Sequence, residues 1–262
     1  MMALEPHGPD TYVGTGPQYP WGGLYGGQIV AQGLRAAGLT VEPAFEPHSL
    51  HAYFIRPGDQ DEPIRFEVDR DRNGRSFCTR RVVARQSIGV ILNMAASFHI
   101  AEDAPGVQSV AMPSVPDADD VEGESWSPLF ERRFTAVPGT DAGRSTAWLK
   151  LNEPVADDAL LQACGVAYIS DDLPMDAVFA LHPDRTELGA VSADDPYALL
   201  TSASLDHAIW FHRRADPSAW QLHDFVSESI GGSRGIATGR VFSTDGTHVA
   251  TVTQEALVRR KK

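Results

Sequence analysis

The stretch "LHAYFIRPGD", residues 50–59, returns later in the chain as "DHAIWFHRRAD", residues 206–216. His51-Ala52 falls on His207-Ala208, an offset of 207 − 51 = 156. Further out, Leu92, Met94, Ala96 and Phe98 match Ala250, Val252, Gln254 and Ala256 at an offset of 250 − 92 = 158. A nearly constant offset with the same order of elements marks an internal duplication. In the first half, residues 28–37 (Gln28 to Ala37) predict a helix that Gly38 ends, with so little polar surface that it must be buried on several sides. Strand-like runs follow in "HSLHAYFI", "IRFEVDRDR", "SFCTRRVVAR" and "GVILNMAASFHI", with Asn73-Gly74 as a hairpin turn. In the second half "DDALLQACGVAYISDD" is helical, and "SDDLPMDAVFAL" is a break followed by a further helix. Then "SLDHAIWFHR", "WQLHDFVSES", "GIATGRVFS" and "HVATVTQEALV" alternate as strands. Residues 1–20, rich in Gly and Pro, read as an irregular lead-in, and the Pro- and acid-rich 101–124 as a linker. The plan is α+β: an antiparallel sheet wrapped around one mostly apolar helix, twice. The expected division is 1–104, a linker at 105–125, and 126–262.

The composition narrows the function. The chain has 262 residues, 42% hydrophobic and 22% charged, with a mean hydropathy of −0.22, which fits a soluble globular protein. The longest apolar run, "IGVILNMAASF", is about half of the roughly 20 residues a membrane span needs. The start, "MMALEPHGPD", has no secretory pattern, and Cys78 and Cys164 follow no metal or disulfide spacing, so a reduced, cytoplasmic protein is expected. A net charge of −13 disfavours nucleic acid and anionic membrane as partners. Arginines nevertheless cluster in "RDRNGRSFCTRRVVAR" and at Arg213-Arg214, either as a solvated strand face or as a phosphate-contacting patch.

One motif misleads. Gly231-Gly232-Ser233-Arg234-Gly235 matches G-x-S-x-G, with Asp245 and His248 following in hydrolase order. A nucleophile elbow needs a strand before its serine and a helix after it. Here "GIATGRVFS" after Ser233 alternates like a strand, and Asp245 and His248 flank a hairpin turn. A serine hydrolase is excluded.

In this order of elements the sequence resembles the TesB-type acyl-CoA thioesterase II family, a double hotdog fold. The resemblance is carried by "GGLYGGQIVAQGL" (22–34), "HSLHAYFIRPGD" (48–59), "RNGRSFCTRRVVARQ" (72–86), "AYISDDL" (167–173), "SLDHAIWFHR" (204–213) and "TVTQEALVR" (251–259). It implies two hotdog units, their sheets separate or merged into one. It also implies self-association into a homo-oligomer, a place in fatty acid metabolism, and hydrolysis of fatty acyl-CoA to free acid and CoA. The water is activated in this family by an Asp, a Thr or Ser, and a Gln, which fall on Asp171, Ser204 and Gln254. The family's best-known members carry Thr where this chain has Ser204, a change that keeps the hydroxyl, and Asp172 competes with Asp171 for the acidic role.

Without the resemblance these residues have plainer readings. Ser170-Asp171-Asp172 before Pro174 is good helix N-cap and first-turn chemistry, where the helix dipole would hold Asp171 ionised. Gln254 interrupts the apolar row Ala250, Val252, Ala256, Val258, so its amide needs a specific partner, a helix end or a reacting group. The matching residue in the first half is Ala96, which leaves one equipped site per chain. Ser204 shares a strand face with Asp206, Ala208 and Trp210 if the alternation is regular, and His51 and His207 read as hydrogen-bonded core histidines. The expected mechanism is direct attack by water. Backbone N–H groups at Gly27 and Gln28 meet the oxyanion, and Arg72, Arg75 or Arg81 meet CoA phosphates. No pattern points to a metal or redox cofactor. Two other readings are an acyl-CoA-binding protein without catalysis and an enoyl-CoA hydratase, whose D-x-N-x-x-H spacing is missing.

Overall fold

Phe45–Phe54 and Asp206–Phe211, the strands that carry the repeated motif, lie side by side and antiparallel, and they fuse the two halves into one sheet. In the computed structural model, residues 2–139, 143–186 and 199–261 are described. The first half contains β1 (Glu5–Pro6), β2 (Thr11–Gly14), α1 (Gly26–Gly38), β3 (Phe45–Phe54), β4 (Ile64–Asn73), β5 (Phe77–Gln86) and β6 (Gly89–Ile100). The second contains β7 (Phe130–Thr135), β8 (Arg144–Leu151), α2 (Ala159–Ser170), α3 (Pro174–Leu181) and β9 (Leu200–Ser204). It ends in β10 (Asp206–Phe211), β11 (Gln221–Gly231), β12 (Arg234–Ser243) and β13 (His248–Arg260).

Among the described residues the sheet runs β1-β2-β4-β5-β6-β3-β10-β13-β12-β11-β8-β7, with β9 added to the end of β13. The sheets are therefore merged, and the double hotdog expected from the sequence is the architecture seen. The lead-in is less irregular than expected, because Thr11–Gly14 pairs with β4 and extends that edge. Ser233 sits with Gly232 in a two-residue hairpin turn, both at positive φ (63° and 58°), with strands on either side. No elbow exists there.

The two helices lie against each other inside the sheet. A Cβ added at Gly27 would come within 2.2 Å of the Tyr168 carbonyl, and one at Gly38 within 2.3 Å of the Leu160 side chain. The start of α1 therefore packs on the end of α2, and the reverse, so the helices run antiparallel. Their buried faces are small and apolar, as in Ile29, Val30, Ala31 and Leu34 against Ala163, Val166 and Ala167. The Pro- and acid-rich segment 101–124 is not a free tether. Val110, Met112 and Val115 cover Trp148, Leu222 and Phe242 on the outer face of the second half, and the Trp148 indole donates to the Pro116 carbonyl.

Sheet register corrects the sequence alignment of the halves. Leu50 and Arg80 both pair with Ala96, while Ala237 pairs with Gln254 and Ala208 with Thr253, which sets His207 opposite Gln254. The structural offset in these strands is 207 − 50 = 237 − 80 = 157, so the counterpart of His207 is Leu50. His51 faces outward, exposed, its ring against Trp210. It is not a core histidine.

Arg80 departs most from its expected place on a solvated strand. It is 1% exposed, and its guanidinium makes five hydrogen bonds, among them Thr40 Oγ1 at 2.7 Å, the Thr40 carbonyl at 3.0 Å, the Arg72 carbonyl at 2.8 Å and Asn73 Oδ1 at 2.7 Å. No carboxylate pairs with it among the described residues; neutral oxygens from Thr40, just beyond the end of α1, and from β4 and β5 surround the charge. Replacing Arg80 with Met strands several buried acceptors. It should cost on the order of 3 kcal/mol, since each bond to a charged group is worth about 1.5–3 kcal/mol. In a thermal melt the midpoint of Arg80→Met should fall by roughly 5–10 °C; an unchanged midpoint would contradict this account.

Candidate active site

Where the start of α1 meets the end of α2, the sheet and helices leave a cavity of about 1110 Å³. Its apolar wall includes Trp21, Tyr25, Phe54, Trp126, Phe134 and Met175, and Gly26, Asp171, Asp172 and Ser204 also line it. Tyr19 stacks nearly parallel on Trp21, and Trp21, Tyr25 and Trp126 meet edge to face, with Trp21 and Trp126 centroids 4.8 Å apart, so a segment from each half closes this wall together.

Asp171 is not the cap of a following helix. It is the C-cap of α2, and the next helix is capped by Leu173 without a side-chain bond. It therefore stands at the negative end of α2, and its side chain is 4% exposed. Burial pushes its carboxyl up to about 7, against the opposing pull of the Gly27 N–H and the Gln254 amide. Burial thus holds Asp171 far less ionised than a first-turn position would. Gly26 is required beside it, because a Cβ there would lie 2.6 Å from Asp171 Oδ2. Asp171 Oδ1 is buried and accepts no hydrogen bond from the protein. Asp172 is already committed. Its carboxylate takes the Arg132 guanidinium at 3.0 Å and the Trp126 indole N–H at 2.6 Å.

Gln254 organises the rest. Its Nε2 donates to Ser204 Oγ at 2.8 Å, and its Oε1 lies 2.5 Å from His207 Nδ1. His207 Nε2 is 3.0 Å from Ser170 Oγ, and Nδ1 is 3.8 Å from Asp171 Oδ1. Burial pushes the His207 imidazole down to about 4, so it is neutral at pH 7. With Nδ1–H donating to Gln254 Oε1, Nε2 accepts from the Ser170 hydroxyl. The Gln254 amide is thereby oriented with its N–H groups toward Ser204 and Asp171.

Ser204 and His207 reach the same amide because the strand breaks between them. In regular alternation residues three apart face opposite sides. Here β9 ends at Ser204 and β10 starts at Asp206; the Leu205 N–H bonds the Glu255 carbonyl, and Asp206 Oδ1 accepts the Glu255 N–H at 2.7 Å. Both side chains then fall on the Gln254 face. Ser204 does not share a face with Asp206.

Asp171 and Ser204 thus line one cavity, with Gln254 buried behind them and bonded to both, and the remaining candidates are not part of this group. The Gly27 N–H is turned to Asp171, and the Gln28 N–H bonds the Tyr25 carbonyl at 3.1 Å. The Gln28 side chain is buried against the Tyr19 hydroxyl at 2.7 Å, away from the cavity. Arg72, Arg75 and Arg81 are exposed on the β4–β5 hairpin, Arg81 paired with Asp69 at 2.8 Å, and none lines the cavity. Arg56 and Arg132 line it instead. Sequence reasoning passed over both, along with Ser170 and the aromatic wall. The only signal for Arg56 was its place in the repeated motif. Groups of His, Cys, Asp and Glu able to hold a metal are absent among the described residues.

Comparison with known proteins gives a consistent result. The family models described as acyl-CoA thioesterase N-terminal and C-terminal domains match residues 16–99 and 107–258. Acyl-CoA thioesterase 2 of Haemophilus influenzae is 34% identical over 260 residues, covering 90% of this chain and 87% of that protein. Human acyl-coenzyme A thioesterase 8 is 28% identical over 292 residues, covering 100% of this chain and 88% of its own length. Among solved structures, an acyl-CoA thioesterase II, TesB2, from Mycobacterium marinum is similar with a TM-score of 0.84 and 34% identity, over 100% of this chain and 96% of that one.

The raised Asp171 carboxyl has a thermodynamic consequence. Between its ordinary 3.8 and about 7 the folded chain holds a proton that the unfolded chain has lost, so this group makes stability fall as pH rises through that window. Asp171→Asn removes the burden. Calorimetry across pH should show the variant's midpoint gaining most on the parent at pH 7–8 and converging with it near pH 4; a pH-independent difference would refute the assignment.

Proposed function

The chain belongs to the acyl-CoA thioesterase family, and from that premise we propose that it hydrolyses acyl-CoA to the free acid and CoA by direct attack of water on the thioester carbonyl. The observation that supports this mechanism most is the Asp171 carboxyl, raised by burial, held by the Gly27 N–H and the Gln254 amide, and lining the mostly apolar cavity. A buried carboxylate oxygen needs a donor. In this reading the attacking water sits on the cavity side of this carboxylate and satisfies it, held also by the Gln254 amide and Ser204.

Asp171 takes the proton as the water attacks. A carboxyl near 7 is a far better base at neutral pH than an ordinary aspartate, and such bases contribute about 10²–10⁴-fold. The oxyanion forms at the start of α1, where Gly26 lines the cavity and the positive helix end favours it. Collapse expels the CoA thiolate. A thiol titrates near 8.5, so the protonated Asp171 is a suitable donor to it. His207 acts only through Gln254, as a positioning residue. The apolar cavity takes the acyl chain, and Arg56 at its lining is placed for polar groups of the substrate, while Arg132 stays paired with Asp172.

The 1–104, 105–125 and 126–262 division is part of this proposal, as are a cytoplasmic setting, a role in fatty acid metabolism and self-association. Among the described residues no helix is long and apolar enough to cross a membrane.

Release of free thiol from a panel of acyl-CoAs tests the reading. Asp171→Asn should lower kcat by about 10²–10⁴-fold with KM little changed, as expected for loss of a general base, while Ser233→Ala should match the parent. Parent-like turnover in Asp171→Asn would end the mechanism. In the parent, kcat/KM should rise with pH through an apparent pKa near 7, because the ionised carboxylate is the working form. A flat profile from pH 5 to 9 would contradict it.

A further inference from the structure

The main cavity has a twin on the other side of the sheet seam. Residues 54–58 line the first, and residues 211–215 line a second pocket of about 260 Å³, at an offset of 211 − 54 = 157. The same offset relates residues 203–205, in the first lining, to 46–48 in the second (203 − 46 = 157). Gly26 and Ile29 of α1 border the first, and Ala159 and Gln162 at the matching turns of α2 border the second. Even the hydrogen bonds repeat. Arg56 Nη1 donates to the Val90 carbonyl at 2.7 Å and Arg213 Nη1 to the His248 carbonyl at 3.0 Å; the Ile55 and His212 N–H groups donate to Ile91 and Val249, each at 2.8 Å.

The chemistry does not repeat. Leu50 and Ala96 stand where the first site has His207 and Gln254, and α1 ends in Gly38-Leu39 where α2 ends in Ser170-Asp171. A basic lining replaces the hydrolytic one: Arg213, Arg214, His48, His99 and His212. Arg214 pairs with Glu46, and His99 lies 3.4 Å from Glu102. Arg213 pairs with no carboxylate among the described residues, and neither does His48 or His212. On a chain of net charge −13 this concentration runs against the whole.

We propose that this pocket is a second, non-catalytic site that binds the phosphate group of an organic phosphate. His48 and His212 are held below their ordinary value by burial and bond Ser97 Oγ and Thr251 Oγ1 through Nε2, so the charge comes from the guanidinium groups of Arg213 and Arg214, whose N–H donors suit a tetrahedral dianion. At about 260 Å³ the pocket lies below the roughly 300–1,000 Å³ of sites that enclose a whole ligand, so it takes the charged end and leaves the remainder outside. A phosphorylated thiol product and free inorganic phosphate share this chemistry. The site stands apart from the thioesterase reading, since nothing in it depends on Asp171.

Calorimetric titration of the full chain with CoA, adenosine 3′,5′-bisphosphate and inorganic phosphate, at fixed pH and ionic strength, tests it. The two nucleotides are expected to occupy a site whose affinity falls roughly tenfold, about 1.4 kcal/mol, in Arg213→Gln. That loss should be absent in Asp171→Asn, and thioester turnover should be kept in Arg213→Gln. His212→Gln, which leaves the Arg213–His248 bond intact, should weaken the same site and guards against a folding defect in the first variant. Binding of inorganic phosphate with the same Arg213 dependence would assign the contact to the phosphate alone, and phosphate-independent nucleotide binding would overturn it. Affinities unchanged in both variants would also overturn it. Loss of turnover in the parent with the Arg213-dependent site intact would strike at the thioesterase reading and leave this one standing.

Discussion

The close approach of the first turn of α1 to the last turn of α2 is the constraint on which the molecule turns. It is possible only because Gly26 and Gly27 present no side chains to Tyr168 and Asp171. From that contact follow the antiparallel helix pair, the burial of Asp171 between two helix ends, and the opening of the large cavity at the junction of the halves. Any bulk at these two positions would separate the helices where the candidate carboxylate needs the Gly27 N–H. The apolar packing of the remaining helix faces adds stability but does not specify this geometry.

Much of the architecture is legible in the sequence because it is periodic. Alternation in β3 to β6 and β10 to β13, two apolar helices, and turn residues at Asn73-Gly74 and Asp245-Gly246 announce strands and hairpins through local physics. The duplication is visible for the same reason. The relation of faces between the halves was not, since one residue of offset exchanges inside for outside in a strand; it made His51 look like the partner of His207. Arg80 was illegible for a different reason. Nothing local says that a strand arginine will turn inward to Thr40, just after a helix, and be satisfied there and by its own hairpin.

The candidate site was legible in its members and opaque in its geometry. Gln254 advertised itself as an amide in an apolar row, which is a local anomaly. Asp171 was misplaced as an N-cap because Ser-Asp-Asp-x-Pro has good capping chemistry, whereas tertiary packing carried α2 up to Ser170 and left Asp171 as its end. The break between β9 and β10, which brings Ser204 and His207 to one amide, depends on Leu205 and Asp206 bonding Glu255 across the sheet, and such a pairing leaves no periodic trace. The aromatic wall escaped because its members come from residues 19–25 and 126, distant in sequence.

Arg80 and Asp171 show what joining two units in one polypeptide makes possible. In a dimer of identical subunits every inward residue occurs twice, so a cation buried near one helix end would recur at the other, and any carboxyl tuned for proton exchange would be duplicated with its cost. Covalent linkage lifts that symmetry. One unit carries a fully bonded guanidinium and an aliphatic seam, while its neighbour tolerates an ionisable group in a dry place. The destabilised part of the protein is free to be destabilised because the rest is not.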